Sequence, residues 1–469
     1  MAERKRRAVI TGVGTINGVG RTARETWDGF LKGEIGYNNH REWMEEELSA
    51  QALNDRFFQE WLIKLVAKHQ PERLKEFEDS RFGFQMLNTH LAGRVIGYNG
   101  RQDPDYPFAE LIPERVYLRE VGRAGELLNR ATAEALTQSG VVDENLQPIG
   151  IDRTRFGFVI GSGLGGAALL GKIQRGLDMN IRPGAGDMYK GQPDNPTVVA
   201  KRLYRAEGPL ISLTQACASG GVAPAVAAML IERGMADVLV AGGTEALNAQ
   251  TIALFEATRA ANTSDNPKNA SRPYDVTAEG AILAEAAGVL VIEDEDHALR
   301  RGAQILAFIG GIGIAGGGAQ GATEMDPNGV TRVMAAALED GGITPEDRFS
   351  NNPHATSTSL GDRSERQGIL NLVNGSQYQP EQLEWIWPTK GFTGHSVGAA
   401  GGVEAVASVM AIQEGEVPAA STTSKVLEGL EELVPKTTRK LESGRVLSTN
   451  MGFGDQDVAV LYEAYEVAA

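Results

Sequence analysis

The chain has 469 residues, 42% of them hydrophobic and 23% charged, with 57 glycines; that is long enough for two domain-sized units with buried cores. A formal net charge of −16 excludes nucleic acid as the main partner and leaves an acidic partner only a local basic patch to dock on. The single cysteine excludes a disulfide framework and points to a reducing, cytoplasmic setting. The basic start from Met1 to Arg7 lacks the apolar core of a signal peptide, and no run of eighteen apolar residues predicts a membrane span.

Taken in order, Ala8 to Gly14 reads as an apolar strand ending in glycines, and Thr22 to Lys32 as a helix capped by Thr22. Residues 38–112 differ in texture. Trp43, Leu48, Leu53, Phe57, Phe58, Trp61, Leu62 and Leu65 recur at helical spacing among many charges, which predicts amphipathic helices broken near Pro71. Their apolar face either packs on the body of the protein or covers an entrance to it. Helix is predicted from Arg119 to Gly140, strand from Arg155 to Ile160 and strand over Pro209 to Leu213, followed by a small-residue helix from Val222 to Arg233. Strands follow at Met235 to Gly243 and Gly288 to Glu293.

After about residue 300 the pattern begins again: strand from Ile305, helix Gly329 to Glu339, strand Glu384 to Trp387, helix Gly398 to Gln413, and strands Arg445 to Ser448 and Asp457 to Glu463. Two alternating α/β halves predict an internal duplication with buried sheets. Gly12-x-Gly14 and Gly161-Ser162-Gly163-Leu164-Gly165-Gly166 both follow strands, the second fitting a dinucleotide fingerprint. No strand-borne acid follows either at the spacing that would hold a ribose, so both read as tight turns.

Cys217 falls between an apolar strand and a helix, where unpaired N–H groups favour a thiolate. Of the six histidines, His40, His69, His90 and His297 lie among polar residues and read as surface positions. His354 and His395 are instead ringed by small and hydroxyl residues, in Asn352-Pro353-His354-Ala355-Thr356-Ser357-Thr358 and Thr389-Lys390-Gly391-Phe392-Thr393-Gly394-His395-Ser396. One cysteine and two such histidines point to a thiol nucleophile served by two imidazoles. A metal site is the rival reading, but the three lie far apart with no paired ligand spacing.

These motifs, with Ser271-Arg272-Pro273-Tyr274-Asp275 and Asn450-Met451-Gly452-Phe453-Gly454, resemble the elongating β-ketoacyl-(acyl carrier protein) synthases, of the β-ketoacyl-ACP synthase II type, in the thiolase superfamily. The resemblance spans almost the whole chain, with residues 38–112 roughly twice as long as is usual at that point. It implies a thiolase fold with duplicated βαβαβαββ halves in a layered α/β/α/β/α arrangement. Residues 1–296 would be the half with the nucleophile and the helical insertion at about 38–112, and 297–469 the half with the two histidines.

By the same resemblance, Cys217 would take an acyl group from acyl carrier protein. His354 and His395 would hold the malonyl thioester oxygen during decarboxylation, and the N–H groups of Cys217 and Phe453 would form the oxyanion hole. Lys390 would hold the network around His354, with Asp362 and Glu365 as its acidic counterparts. Thr356 and Thr358 would contact the phosphopantetheine arm, and Phe453 would gate the site. Arg119, Arg182 and Arg259 would dock the carrier, with Arg115 and Arg123 as additions. No metal or separate cofactor is implied, and the assembly would be a homodimer or a heterodimer with a related subunit.

The absence of a second cysteine disfavours thiolase chemistry, two histidines disfavour the initiating type, and the nucleophile disfavours a non-catalytic chain-length-factor subunit. The chain departs from the family at Ala355, at Ala284-Glu285-Ala286, at Ala278-Glu279-Gly280-Ala281 and at Gly454-Asp455. These departures surround the pocket and point to a specialised substrate, in an unusual fatty-acid or polyketide pathway.

Overall fold

The computed structural model describes residues 6–39, 91–95 and 121–466, apart from short stretches between 167 and 181 and position 376. Ten strands form its main sheet: β1 Ala8–Ile16, β2 Phe156–Gly161, β3 Leu210–Leu213, β4 Val238–Glu245, β5 Ala286–Asp294, β6 Ala307–Gly316, β7 Phe349–Asn352, β8 Leu383–Ile386, β9 Arg445–Gly452 and β10 Gln456–Glu463. Their order is β8-β7-β9-β10-β6-β1-β5-β4-β2-β3. Each set of five has the same internal order, its second strand parallel to the third and fourth and its last antiparallel to the fourth and first. The sets meet only where Val9 and Ile10 pair with Phe308 and Ala307.

The duplication predicted from the alternating pattern is therefore present as a repeated topology. Helices α1 Ala23–Lys32, α2 Arg123–Ser139, α3 Asn195–Leu203, α4 Ser219–Glu232, α5 Ala249–Ala257, α6 Pro327–Asp340, α7 Ser359–Val373, α8 Lys390–Thr393 and α9 Ala400–Glu414 complete the frame used below. The Thr22 side chain accepts from Glu25 N and caps α1 as predicted, and Gly33 and Gly140, both left-handed, end α1 and α2. Helix α2 begins at Arg123, so Arg119, expected on it, lies outside the described residues. Helix α4 starts at Ser219, three residues before the predicted start, and β9 runs on to Gly452. Helices α3, α5 and α7 and strand β7 were not anticipated from the sequence.

Period-2 alternation distributes apolar side chains to three cores. In β4, Leu239 and Ala241 face the central core while Val238 and Val240 face an outer one; in β5, Leu290 and Ile292 oppose Val289 and Val291. In β10, Val458, Val460 and Tyr462 face the centre and Ala459 and Leu461 the other outer core. Both faces of each five-stranded set are thus covered: α2 on one outside, α4 and α9 between the sets, α6 on the other outside. This is the layered α/β/α/β/α thiolase fold.

The central helices meet through small residues. A Cβ on Gly220 would stand 2.6 Å from Gly398 O and 2.8 Å from Gly402 N, so the close approach requires glycine. The predicted insertion at 38–112, with its stripe from Trp43 to Leu65, lies outside the described residues except at 38–39 and 91–95. There, Leu91–Gly93 pairs in parallel with Leu283–Ala284.

Candidate active site

The chain turns sharply between β3 and α4, and Cys217 sits in that turn, 3% exposed. Ala216 before it adopts φ +46°, a left-handed conformation that costs a non-glycine residue about 1 kcal/mol. Ser219 secures it: its hydroxyl donates to Ala216 O at 2.6 Å and accepts from Gln215 N at 2.8 Å.

His395 follows α8 and is pinned by its own backbone, its N–H donating to Ile282 O at 2.6 Å and its carbonyl accepting from Ala284 N at 2.9 Å. Its Nε2 lies 3.0 Å from Cys217 Sγ. His354 leaves the end of β7 and meets His395 edge to face, with ring centroids 5.4 Å apart and planes at 86°. Three residues from two halves of the fold, the nearest pair separated by 41 positions, converge on one point.

Burial pushes the Cys217 thiol up to about 12, against the pull of Lys390 and of the Phe453 backbone N–H. Desolvation thus opposes the thiolate that the position at a helix start favours. Burial, and then Lys390, hold both imidazoles well below their ordinary range. The Lys390 ammonium lies 3.5 Å from His354 Nδ1. An ammonium can only donate, so Nδ1 is the acceptor and Nε2 carries the proton. His354 therefore offers a neutral N–H donor.

The acid that pairs with Lys390 is Glu404, on α9, and not Asp362 or Glu365; sequence reasoning missed it because it lies inside an otherwise apolar helix. Asn450 donates to the other Glu404 oxygen. Glu365 instead accepts the backbone N–H groups of His354 and Ala355 at 2.8 and 2.7 Å, bracing the histidine loop. Asp362 accepts Tyr274 N at 2.8 Å, and burial pushes its carboxyl up to about 8 despite that bond. Both carboxyls thus contact the backbone around the site.

A cavity of about 310 Å³ opens over Cys217, His354 and His395 and is lined by Thr356, Thr358, Arg259 and Phe453, all expected from the sequence. The two threonine hydroxyls stand 3.0 Å apart. Phe255, on α5, was missed. Its ring stacks on Phe453, centroids 5.5 Å apart, and meets His395 edge-on at 6.3 Å. Of the remaining arginines, Arg182 is exposed, whereas Arg123 is engaged with Glu285 and Glu126. Arg115 and Arg119 lie outside the described residues. His297, expected at the surface, is mostly buried against Glu293 at 2.8 Å.

The glycine turn after β2 is filled from within. The buried Glu245 carboxylate accepts from Gly163 N at 2.6 Å and from Leu164 N and Gly398 N, occupying the amides a phosphate would need. Two departures fall on strained backbone: Ala355 has φ +30° and Asp455 φ +60°, where glycine is favoured.

Comparison with known proteins places this arrangement among relatives. Residues 72–298 match the beta-ketoacyl synthase N-terminal domain and residues 306–423 the beta-ketoacyl synthase C-terminal domain. A 3-oxoacyl-[acyl-carrier-protein] synthase 2 from Vibrio cholerae is 31% identical over 471 residues, covering 98% of this chain and 99% of the relative. One of the same name from Staphylococcus aureus is 29% identical with the same coverage. Among solved structures, a beta-ketoacyl synthase from Burkholderia phymatum aligns with a TM-score of 0.79 at 23% identity, over 98% of this chain and 100% of that one. The ishigamide ketosynthase/chain length factor aligns at 0.77 and 21%, again over 98% and 100%.

Proposed function

The chain belongs to the beta-ketoacyl synthase family, and from that premise we propose how its own residues run the condensation. The enzyme is an acyltransferase that joins malonyl to an acyl group with loss of carbon dioxide, giving a β-ketoacyl product on acyl carrier protein. The observation that carries the assignment of roles is the 3.0 Å contact between His395 Nε2 and Cys217 Sγ, with His354 beside it.

In loading, Cys217 Sγ attacks the thioester carbonyl and its proton passes to the departing thiol, while His395 Nε2–H donates to the sulfur and remains a donor for the next step. In condensation, the malonyl carboxylate leaves as carbon dioxide and its electron pair forms an enolate. The N–H groups of His354 and His395 hold the enolate oxygen. The enolate carbon attacks the acyl-Cys217 carbonyl, whose oxyanion faces the Cys217 and Phe453 N–H groups, and the sulfur leaves. Thr356 and Thr358 line the path of the phosphopantetheine arm that carries the substrates, and we assign no metal or separate cofactor.

The carrier docks at the exposed Arg182 and Arg259, with Arg119 a further candidate. The division into halves falls after residue 296, which the repeated strand order supports. A second copy, or a related subunit, pairs at the open edge strand β3, where Leu210 is 39% exposed. Among the described residues no helix is long and apolar enough to cross a membrane, which is compatible with a cytoplasmic enzyme. The test is release of carbon dioxide and β-ketoacyl product from malonyl- and acyl-carrier by the wild type and by Cys217→Ala. Condensation only in the wild type supports the roles; equal condensation by both contradicts them. Charge reversal at Arg182 raises KM for carrier-bound substrate and leaves free pantetheine substrates unchanged; an equal rise for both removes it from the interface.

A further inference from the structure

Asp457 is the one carboxyl among the described residues lining the cavity that is buried with both oxygens unpartnered: it is 2% exposed, and neither oxygen has a hydrogen-bond partner. It lies on β10 directly opposite Met451 on β9, so both side chains leave the same face of the sheet, and both line the cavity that holds Cys217. The side away from the cavity is closed. A Cβ on Gly329, in the first turn of α6, would stand 3.1 Å from Asp457 Oδ2.

Its neighbour Asp455 is fully used, its oxygens accepting Ala319 N at 2.8 Å and Asp326 N at 3.1 Å. Burial, and then Asp455 and Glu365, push the Asp457 carboxyl up to about 7. Glu279, Glu324 and Asp455 also line the cavity, against one cationic side chain, Arg259. A buried carboxyl left unpaired is destabilising, and among the described residues nothing hydrogen-bonds this one. The enclosed space beside it is the space the substrate enters.

We propose that Asp457 determines substrate choice by accepting a hydrogen bond from a donor, a hydroxyl or an amine, carried on the acyl group bound in the Cys217 cavity. The proposal rests on the condensing function above. Loading exchanges one thioester for another: the acyl–sulfur bond of the donor breaks, the acyl–Cys217 bond forms, and the donor thiol takes the Cys217 proton. A purely alkyl chain leaves Asp457 unpaired and is disfavoured, as a site built to bond a polar group rejects an analogue lacking it. The pantetheine arm also carries amide and hydroxyl donors, so the experiment separates arm from acyl group.

Loading of Cys217 is followed by mass spectrometry at pH 8, above the value of about 7 to which burial pushes the Asp457 carboxyl. The substrates are length-matched acyl-pantetheine thioesters, alkyl or with hydroxyl or amine at successive carbons. The wild type should load one donor-bearing isomer at least about tenfold faster than the alkyl chain. Asp457→Leu should bring that ratio to about one while still loading the alkyl chain. Asp457→Asn, isosteric and safer for folding, should keep the hydroxyl preference and lose the amine preference. An alkyl preference in the wild type, or a ratio unchanged in both variants, overturns the proposal. If the Asp457→Leu effect vanishes with N-acetylcysteamine thioesters, which lack most of the arm, the donor belongs to the arm and the acyl assignment is wrong. Failure of Cys217 to load from any thioester would instead overturn the condensing function itself.

Discussion

Glu404 closes a buried ion pair with Lys390, and the same ammonium stands 3.5 Å from Nδ1 of His354. The pair therefore sets which nitrogen of His354 carries the proton. Removing one partner of a buried pair leaves an uncompensated charge, at a cost of about 3–5 kcal/mol. Glu404→Leu should lower stability to urea by about that amount, and both it and the milder Glu404→Gln should slow malonyl decarboxylation more than acyl loading. An equal effect on the two steps would mean that Glu404 acts only through stability.

The two histidines divide the labour. His395 touches Cys217 whereas the His354 ring meets His395 and Lys390. His354→Ala should cost decarboxylation about 10²–10³-fold, equivalent to one lost oxyanion donor, with acyl loading largely kept. His395→Ala should impair both. Single-turnover loading and carbon dioxide release, measured separately, check this, and identical profiles for the two variants would contradict it.

Acid stability should fall through Asp275. Although burial opposes it, the carboxylate is held down to about 2 by the N–H groups of Lys425, Thr277 and Ser424 and the Thr277 hydroxyl. A depressed carboxyl stabilises the fold above its ordinary value near 4, and that contribution is lost as pH falls from about 4 toward 2. Asp275→Asn should thus be less stable than wild type at pH 6 and approach it as pH drops below about 4. Urea midpoints across pH 3–7 measure this; a gap independent of pH would exclude the carboxylate's charge as its source.

Ala355 lies at φ +30° in the histidine loop. Relieving a left-handed non-glycine residue is worth about 1 kcal/mol, partly offset by the greater freedom of glycine in the unfolded chain. Ala355→Gly should therefore raise the melting temperature slightly, by up to about 1 °C in a chain of this length, without reducing decarboxylation. A lower melting temperature would show that the Ala355 side chain supplies packing that outweighs its strain.

The alternating pattern made most of the strands legible, because strands covered on both faces read as unbroken apolar runs, as in β1 and β5. Short strand β7 did not show, since Phe349-Ser350-Asn351-Asn352 is polar and its side chains bond to partners distant in sequence, as Asn351 Nδ2 does to Leu447 O. Cys217, His354 and His395 stood out by their surroundings. Glu404 and Glu245 did not, because a single acid inside an apolar stretch gains meaning only from partners distant in sequence. The burial that opposes a Cys217 thiolate was not legible for a related reason: a helix start is visible locally, whereas burial depends on the whole fold. Asp362 and Glu365 were expected to face Lys390, but the backbone N–H groups of Tyr274, His354 and Ala355 that they accept are encoded by no side-chain motif.

The most direct test is the mass of the Cys217 peptide after the purified protein is mixed with acyl-carrier alone, then chased with malonyl-carrier. The account predicts one acyl adduct, confined to Cys217, that disappears on the chase as β-ketoacyl-carrier and carbon dioxide form in equal amounts. An adduct on another residue, or an acyl-Cys217 that persists while product forms, would contradict it.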